Sequence, residues 1–271
     1  MKSLAKIAIL IFGLCAPLAQ AQVLVLVHGY LGAANTWDYT GVTAALQQDG
    51  WSRAGVYLAG PGGARLVPAA GGKAARKFYT VDLPSEAPVL VQVYLLNDIL
   101  ASVSARHAGE PVVLVGHSVG GVVARAALVR GNHPEVRTLI TIASPHLGTW
   151  RAEQALDVTD IPFPFSLITD FFGGDIYDTA MRSRSLYVDL VRPQPGSLLF
   201  WLNAQPHPDI RYISVVRAED GPGDYVVPAI SQDMNNVPVL RGRSSVTTIP
   251  ARHGLEPRDG AVLVKLLGKL R

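Results

Sequence analysis

The sequence predicts an α/β domain built on a mostly parallel sheet with helices on both faces. Three observations predict it. Short apolar runs of strand character alternate with stretches of helical periodicity, the pattern of a parallel sheet covered on both sides. Two of the runs, QVLVLV from Gln22 and VVLV from Val112, are apolar at nearly every position, as strands buried on both faces are. The second leads through Gly116-His117-Ser118-Val119-Gly120-Gly121 directly into an apolar helix, which is a tight strand-to-helix turn with a serine at its apex.

The chain has 271 residues, enough for one large domain with a sizeable core. Residues 1–21 are expected to stand outside it. Lys2 and Lys6 give a charged start, Ile7 to Leu14 an apolar centre, and Ala19-Gln20-Ala21 a small-residue cleavage site. That is a secretory signal peptide, cut before Gln22, and it places the protein in a periplasm or outside the cell. Its apolar run is too short to span a bilayer comfortably. Loss of Lys2 and Lys6 leaves 22 basic residues against 21 acidic ones, a net charge of +1, which gives no case for nucleic-acid binding. The single cysteine, Cys15, leaves with the signal, so the mature domain of residues 22–271 has neither a disulfide nor a thiol nucleophile. No later stretch reads as a membrane-spanning helix.

The elements follow in order. After the first strand, His28-Gly29-Tyr30-Leu31-Gly32 is a tight loop. Asn35 or Thr36 caps a helix through Trp37 to Gln48. Gly55 to Ala59 is a short strand, residues 60–77 a surface loop, and Phe78 to Asp82 an edge strand. Ser85 caps a long helix, with Val89, Val93, Leu96, Leu100 and Val103 as its buried stripe. The serine turn and its helix follow. Val136 to Ile142, Ile210 to Val216 and Ser245 to Ile249 are strands, and Leu255 to Leu270 is a closing helix. The stretch of about 150–209 breaks the alternation. It carries nine aromatics and no strand signal, which predicts a helical cap over the site; ordinary core helices are the alternative.

The serine turn carries the chemistry. A hydroxyl is a weak nucleophile unless lifted clear of the backbone and offered to a base. Gly116 and Gly120 free the space such a turn needs, and the helix N-terminus favours negative charge developing at Ser118. The expected base is His253, in the loop between the last strand and the last helix. His146, in Ser144-Pro145-His146-Leu147-Gly148-Thr149, is the competitor. His28 and His117 sit in turns and are expected to pack or hydrogen-bond, whereas His107 and His133 read as surface residues. The carboxylate that orients the base is expected after the strand ending at Val216, from Glu219, Asp220 and Asp224. Asp224 is preferred and Asp220 is the runner-up. The amides of Tyr30 and Val119 are the expected donors to an oxyanion.

In this order LVLVHGYLG, VGHSVGG, ASPHLGT, DYVVP and a late HGL resemble the α/β-hydrolase fold, and most closely the bacterial secreted triacylglycerol lipases and related esterases. The resemblance covers nearly the whole mature chain. It implies Ser118 as nucleophile, Asp224 as acid, His253 as base, and Tyr30 and Val119 as oxyanion donors. The chain order serine, aspartate, histidine fits that fold. The implied activity is hydrolysis of carboxylic esters through an acyl-enzyme, with no cofactor. Some relatives carry a structural calcium, a disulfide or a dedicated folding chaperone. No calcium ligand cluster is recognisable here, so a structural calcium is left open, whereas the disulfide is impossible. The implied partners are an apolar ester substrate and its lipid–water interface, with the oligomeric state left open. A short-chain carboxylesterase, an acyltransferase and a non-catalytic binding protein are the alternatives on the same fold.

Overall fold

The apolar strands alternate between two cores. The computed structural model describes residues 22–60, 62–70, 75–159, 178–218 and 223–270. In β1 (Gln22–Val27) the side chains of Val23, Val25 and Val27 enter one hydrophobic core and those of Leu24 and Leu26 enter the other. In β5 (Val112–His117) Val112 and Leu114 face the first core, and Val113 and Val115 face the second. Both strands must be apolar throughout because both faces are covered. Each such side chain, once buried, stabilises the fold by about 1.5–3 kcal/mol.

The remaining elements are α1 (Thr36–Tyr39), α2 (Val42–Gln48), β2 (Ser52–Gly60), β3 (Gly63–Pro68), β4 (Arg76–Asp82), α3 (Val89–Arg106), α4 (Val119–Arg130), β6 (Val136–Ile142), α5 (Trp150–Thr159), α6 (Arg184–Leu190), α7 (Leu198–Ala204), β7 (Arg211–Arg217), α8 (Ala229–Gln232), β8 (Ser244–Ile249) and α9 (Pro257–Gly268). The sheet has eight strands in the order β3-β2-β4-β1-β5-β6-β7-β8. Every pairing is parallel except β2 with β3. Helices α3 and α4 cover the first core; α2 and α9 cover the second.

Several elements differ from the sequence reading. Residues 60–77 are not a loop throughout: Gly63–Pro68 forms β3, antiparallel to β2 and closed by the Gly60↔Gly63 pair. Its partners on the sheet, and not an apolar pattern of its own, make it a strand, and its residues are partly exposed or exposed. β4 is consequently interior, between β2 and β1, and not an edge. The helix expected over 37–48 is two helices, because Gly41 takes φ +80° between them. Ser85 lies in a turn ahead of α3, and Pro88 precedes the first helical residue. The free amide of Val89 is capped from outside, by Asp189 of α6 at 2.7 Å. By length and composition α3 is apolar enough to cross a membrane, contrary to expectation. Its predicted stripe is nonetheless buried in the core.

The insertion divides into parts. Leu186 and Leu190 of α6 and Leu199 and Leu202 of α7 are buried in the first core, so these two helices belong to the body of the domain. Phe163, Phe165, Phe171, Phe172 and Tyr177, the aromatic middle of the expected cap, lie outside the described residues.

The loop that carries His253 is closed by α9. Glu256 and Asp259 form a reciprocal capping box at its start. Asp259 also makes a bidentate pair with Arg217 at the end of β7, at 2.8 and 2.9 Å, and both side chains are fully buried. Removing one partner of such a pair strands the other charge in the core. Asp259→Ala is therefore expected to cost about 3–5 kcal/mol in urea unfolding. The exposed Glu153–Arg192 pair, broken the same way, should leave the midpoint nearly unchanged.

Candidate active site

Ser118 stands between β5 and α4 with φ 51° and ψ −126°, a backbone conformation that is costly for any residue with a side chain. The turn closes only because its neighbours are glycine. A Cβ on Gly116 would lie 2.4 Å from the Cα of Gly121, and one on Gly120 would lie 2.2 Å from the carbonyl oxygen of His28. The second contact also sets the serine turn against the end of β1. Gly29 belongs to the same close approach, since a Cβ there would meet the Ser118 Cβ at 2.9 Å.

The three residues expected to act together lie together. His253 Nε2 is 2.8 Å from Ser118 Oγ, and His253 Nδ1 is 2.9 Å from Asp224 Oδ2. The carboxylate can only accept, so Nδ1 carries the proton and Nε2 is left to accept from the serine hydroxyl. The Asp224 side chain is 1% exposed and that of His253 is 20% exposed, so the acid is sealed while the base remains reachable.

Each oxygen of Asp224 is spoken for. Oδ1 accepts from the amides of Val226 (2.7 Å) and Val227 (2.6 Å). Oδ2 accepts from His253 and from Gln232 Nε2 (3.2 Å). Burial alone would raise this carboxyl's pKa. The hydrogen bond and charge of His253, with the two valine amides, outweigh it and hold Asp224 below the ordinary carboxylate range. Asp220 and Glu219, the other sequence candidates, lie outside the described residues.

The two amides expected to serve an oxyanion are those of Val119, first in α4, and Tyr30, in the loop after β1. Neither is taken by a partner among the described residues. The loop carrying Tyr30 is fixed from two directions. His28, buried, accepts from the Leu83 amide on Nε2 (3.1 Å) and donates from Nδ1 to the Gly29 carbonyl (2.9 Å). The Tyr30 hydroxyl pairs with that of Tyr187 on α6 at 2.5 Å.

His146 is not part of this group. It is fully buried, with Nε2 3.1 Å from the Thr141 hydroxyl, and burial among Arg125 and His207 pushes its pKa well down. Its loop is tied to the segment that carries Asp224. His146 N donates to Ser231 O (2.9 Å), Leu147 N to Ser231 Oγ (3.0 Å), and Thr149 Oγ1 to the Val226 carbonyl. His107, read as a surface residue, is buried between Tyr79 and Glu110, at 2.8 and 3.2 Å. Its loop is polar, but its ring is not in the solvent. Gln232 and Arg217 were not anticipated. Gln232 sits in Ser231-Gln232-Asp233, which carries no signal. Arg217 had one, a charge ending an otherwise buried strand. Among the described residues no group of three or more His, Cys, Asp or Glu is arranged to hold a metal ion.

The buried histidines make the fold acid-sensitive. Burial lowers the pKa of His207 to about 4 and that of His117 to about 3. Between the unfolded value of about 6.5 and those folded values, the unfolded chain binds more protons. Stability is then lost as the pH falls from about 6.5. Asp224 adds to this only at lower pH, because its lowered pKa stabilises the fold above about 3.9 and the gain is lost below that. The unfolding free energy, followed from pH 7 to pH 4, should decline, and less steeply in His207→Gln.

Comparisons with known proteins bear on the fold and the family. The profile of the family described as PGAP1-like alpha/beta domain matches residues 18–160, which holds Tyr30 and the serine turn and stops short of Asp224 and His253. GPI inositol-deacylase of Emericella nidulans is 41% identical over 89 residues, 32% of this chain and 8% of that protein. GPI inositol-deacylase B of Yarrowia lipolytica is 36% identical over 80 residues, 27% of this chain and 8% of that protein. The matched stretch thus spans a small part of either relative. Among solved structures, a Listeria innocua gene product superposes with TM-score 0.60 at 17% identity, covering 93% of this chain and 95% of its own. The mature form of a Bacillus licheniformis lipase does so with TM-score 0.58 at 16% identity, covering 93% and 92%. The fold is the α/β-hydrolase fold of lipases and esterases.

Proposed function

We propose that this chain, which belongs to the PGAP1-like alpha/beta domain family, hydrolyses carboxylic esters of lipidic acyl groups through Ser118, His253 and Asp224. The observation that carries the reading is the pair of hydrogen bonds from Ser118 Oγ to His253 Nε2 and from His253 Nδ1 to Asp224 Oδ2, at 2.8 and 2.9 Å, between residues 135 and 29 positions apart.

In the proposed reaction His253 Nε2 takes the hydroxyl proton as Ser118 Oγ bonds to the ester carbonyl carbon. The carbonyl oxygen becomes an oxyanion held by the amides of Tyr30 and Val119. One such donor is typically worth about 3 kcal/mol in the transition state. Asp224 stays ionised and stabilises the imidazolium. The C–O bond to the alcohol breaks, and the alcohol leaves with the proton from His253. Water, deprotonated by His253, then attacks the acyl-enzyme, and Ser118 recovers its proton.

A triacylglycerol is the first substrate class. The apolar insertion and the expected export of the chain support it. A second class, an acyl chain esterified to an inositol-bearing lipid, is supported by the names of the fungal relatives. Short-chain carboxylesters and acyl transfer to an alcohol use the same machinery. Export of residues 22–271 after loss of 1–21 belongs to the same reading, and N-terminal sequencing of exported protein should begin at Gln22.

Residues 22–271 should be assayed on p-nitrophenyl esters from acetate to palmitate, on triolein emulsion and on an acyl-inositol lipid. Long-chain hydrolysis that vanishes in Ser118→Ala, and falls about 10⁴-fold in Asp224→Asn, is the expected result. Activity confined to acetate and butyrate would replace the lipid substrate by a small ester. Full activity in Ser118→Ala would sink the triad.

A further inference from the structure

The base sits on an irregular loop between β8 and α9, yet its ring must hold Nε2 at hydrogen-bond distance from Ser118. The bond to Asp224 fixes the rotation of the ring. It does not fix the position of the backbone that carries the ring. Two successive carbonyls of the loop are held by buried side chains instead. His117 Nε2 is 2.9 Å from the carbonyl oxygen of His253 itself. Arg217 Nη2 donates to the carbonyl of Gly254 at 3.3 Å.

The first contact has a particular geometry. His117 immediately precedes Ser118 and is the last residue of β5. A single hydrogen bond therefore joins the backbone of the base to the residue adjoining the nucleophile, across 136 positions of sequence. Arg217 ends β7, the strand that leads to the acid, and it is itself fixed by Asp259. The loop is thus tied to the strand of each partner of the base.

We propose that His117 is a positioning residue, whose Nε2–H, donated to the His253 carbonyl, sets the distance of the base from Ser118. The inference rests on the triad reading above and adds to it a residue that touches neither substrate nor reacting atoms. A carbonyl oxygen only accepts, so His117 must carry its proton on Nε2. Burial, together with the neighbouring His253, pushes its pKa down to about 3, so the ring stays neutral at any working pH. Neutrality matters because the two rings lie 5.5 Å apart, centroid to centroid. A charged donor at 117 would repel the imidazolium that forms in the reaction, whereas a neutral imidazole anchors the loop without that penalty.

The test compares two substitutions of similar length. His117→Gln keeps an N–H near the position of Nε2; His117→Met fills the space without a donor. Wild type and Ser118→Ala are run beside them on a soluble p-nitrophenyl ester, with thermal unfolding recorded for each. A displacement of about 1 Å in a reacting group can cost about 10²-fold. His117→Met is expected to lose about 10-fold to 100-fold in kcat with KM within about twofold, and His117→Gln to recover most of the loss. Equal kcat in wild type and a folded His117→Met would overturn the proposal. So would an equal loss in Met and Gln variants that match in stability, since the donor would then be irrelevant. Should His117→Met not fold, His117→Phe, also without a donor, takes its place. Failure of the triad reading looks different: wild type would then show no Ser118-dependent turnover at all.

Discussion

The site depends on one costly backbone conformation, the left-handed φ of Ser118 between β5 and α4. Such a residue costs of order 1–3 kcal/mol and persists only where its surroundings over-determine it. Here they do. β5 is paired on both sides, by β1 and β6, and the Ser118 amide is taken by the Ile142 carbonyl at 2.8 Å. α4 behind it is buried along most of its length. The close approaches of Gly120 to the His28 carbonyl and of Gly121 to Ser144 carry the same constraint outward. They press the turn against the loop after β1 on one side and the loop after β6 on the other. The three sequence motifs around Tyr30, Ser118 and His146 are therefore one packed unit, held by the geometry of a single turn.

Electrostatics follows from that packing. The region around the triad contains several buried histidines, and a charge on each would be costly. His117 and His146 are neutral because they are fully desolvated. Of the two fully buried arginines, Arg217 is matched by Asp259, and Arg125 donates to the Asn203 side-chain oxygen at 2.6 Å. The remaining buried carboxylate, Asp224, receives four hydrogen bonds. Among the described residues, His253 is the partly exposed titratable side chain whose Nε2 is at hydrogen-bond distance from the serine hydroxyl. In the proposed reaction that contrast is what confines proton uptake to one ring.

Much of this was legible in the sequence because the strongest local signals coincide with buried, two-sided elements. QVLVLV and VVLV read as buried strands, and GHSVGG reads as a tight turn between one of them and a helix. That Ser118, Asp224 and His253 come together was expected from their loop positions after β5, β7 and β8, where an open α/β sheet gathers its ligands. What escaped was set by partners far along the chain. β3 is a strand because β2 is available to pair with it, and that pairing moved β4 from the edge to the interior. Asp189 caps α3 from 100 positions away, which no local reading of Ser85 or Pro88 could supply. Gln232 is an ordinary glutamine until the fold sets it between Arg217 N and Asp224, where its amide oxygen accepts at 2.7 Å and its nitrogen faces the acid.

The insertion illustrates the same limit and gives it a functional edge. Composition marked it as a cap, and four leucines of α6 and α7 reach the core that α3 and α4 cover, while Phe200 and Trp201 stay exposed. Its link to the chemistry is instead a specific one. Tyr187 of α6 meets Tyr30 edge to face, with centroids 5.6 Å apart, and the hydroxyls of the two are paired. Burial and the bond to Tyr30 raise the Tyr187 pKa. Tyr30 is the residue whose amide is the proposed oxyanion donor. A contact made by an acyl chain on the α6 side of the domain would therefore bear on the alignment of that donor as well as on binding. An interaction that improved that alignment only in the transition state would raise kcat, whereas one equal in the ground and transition states would alter KM alone.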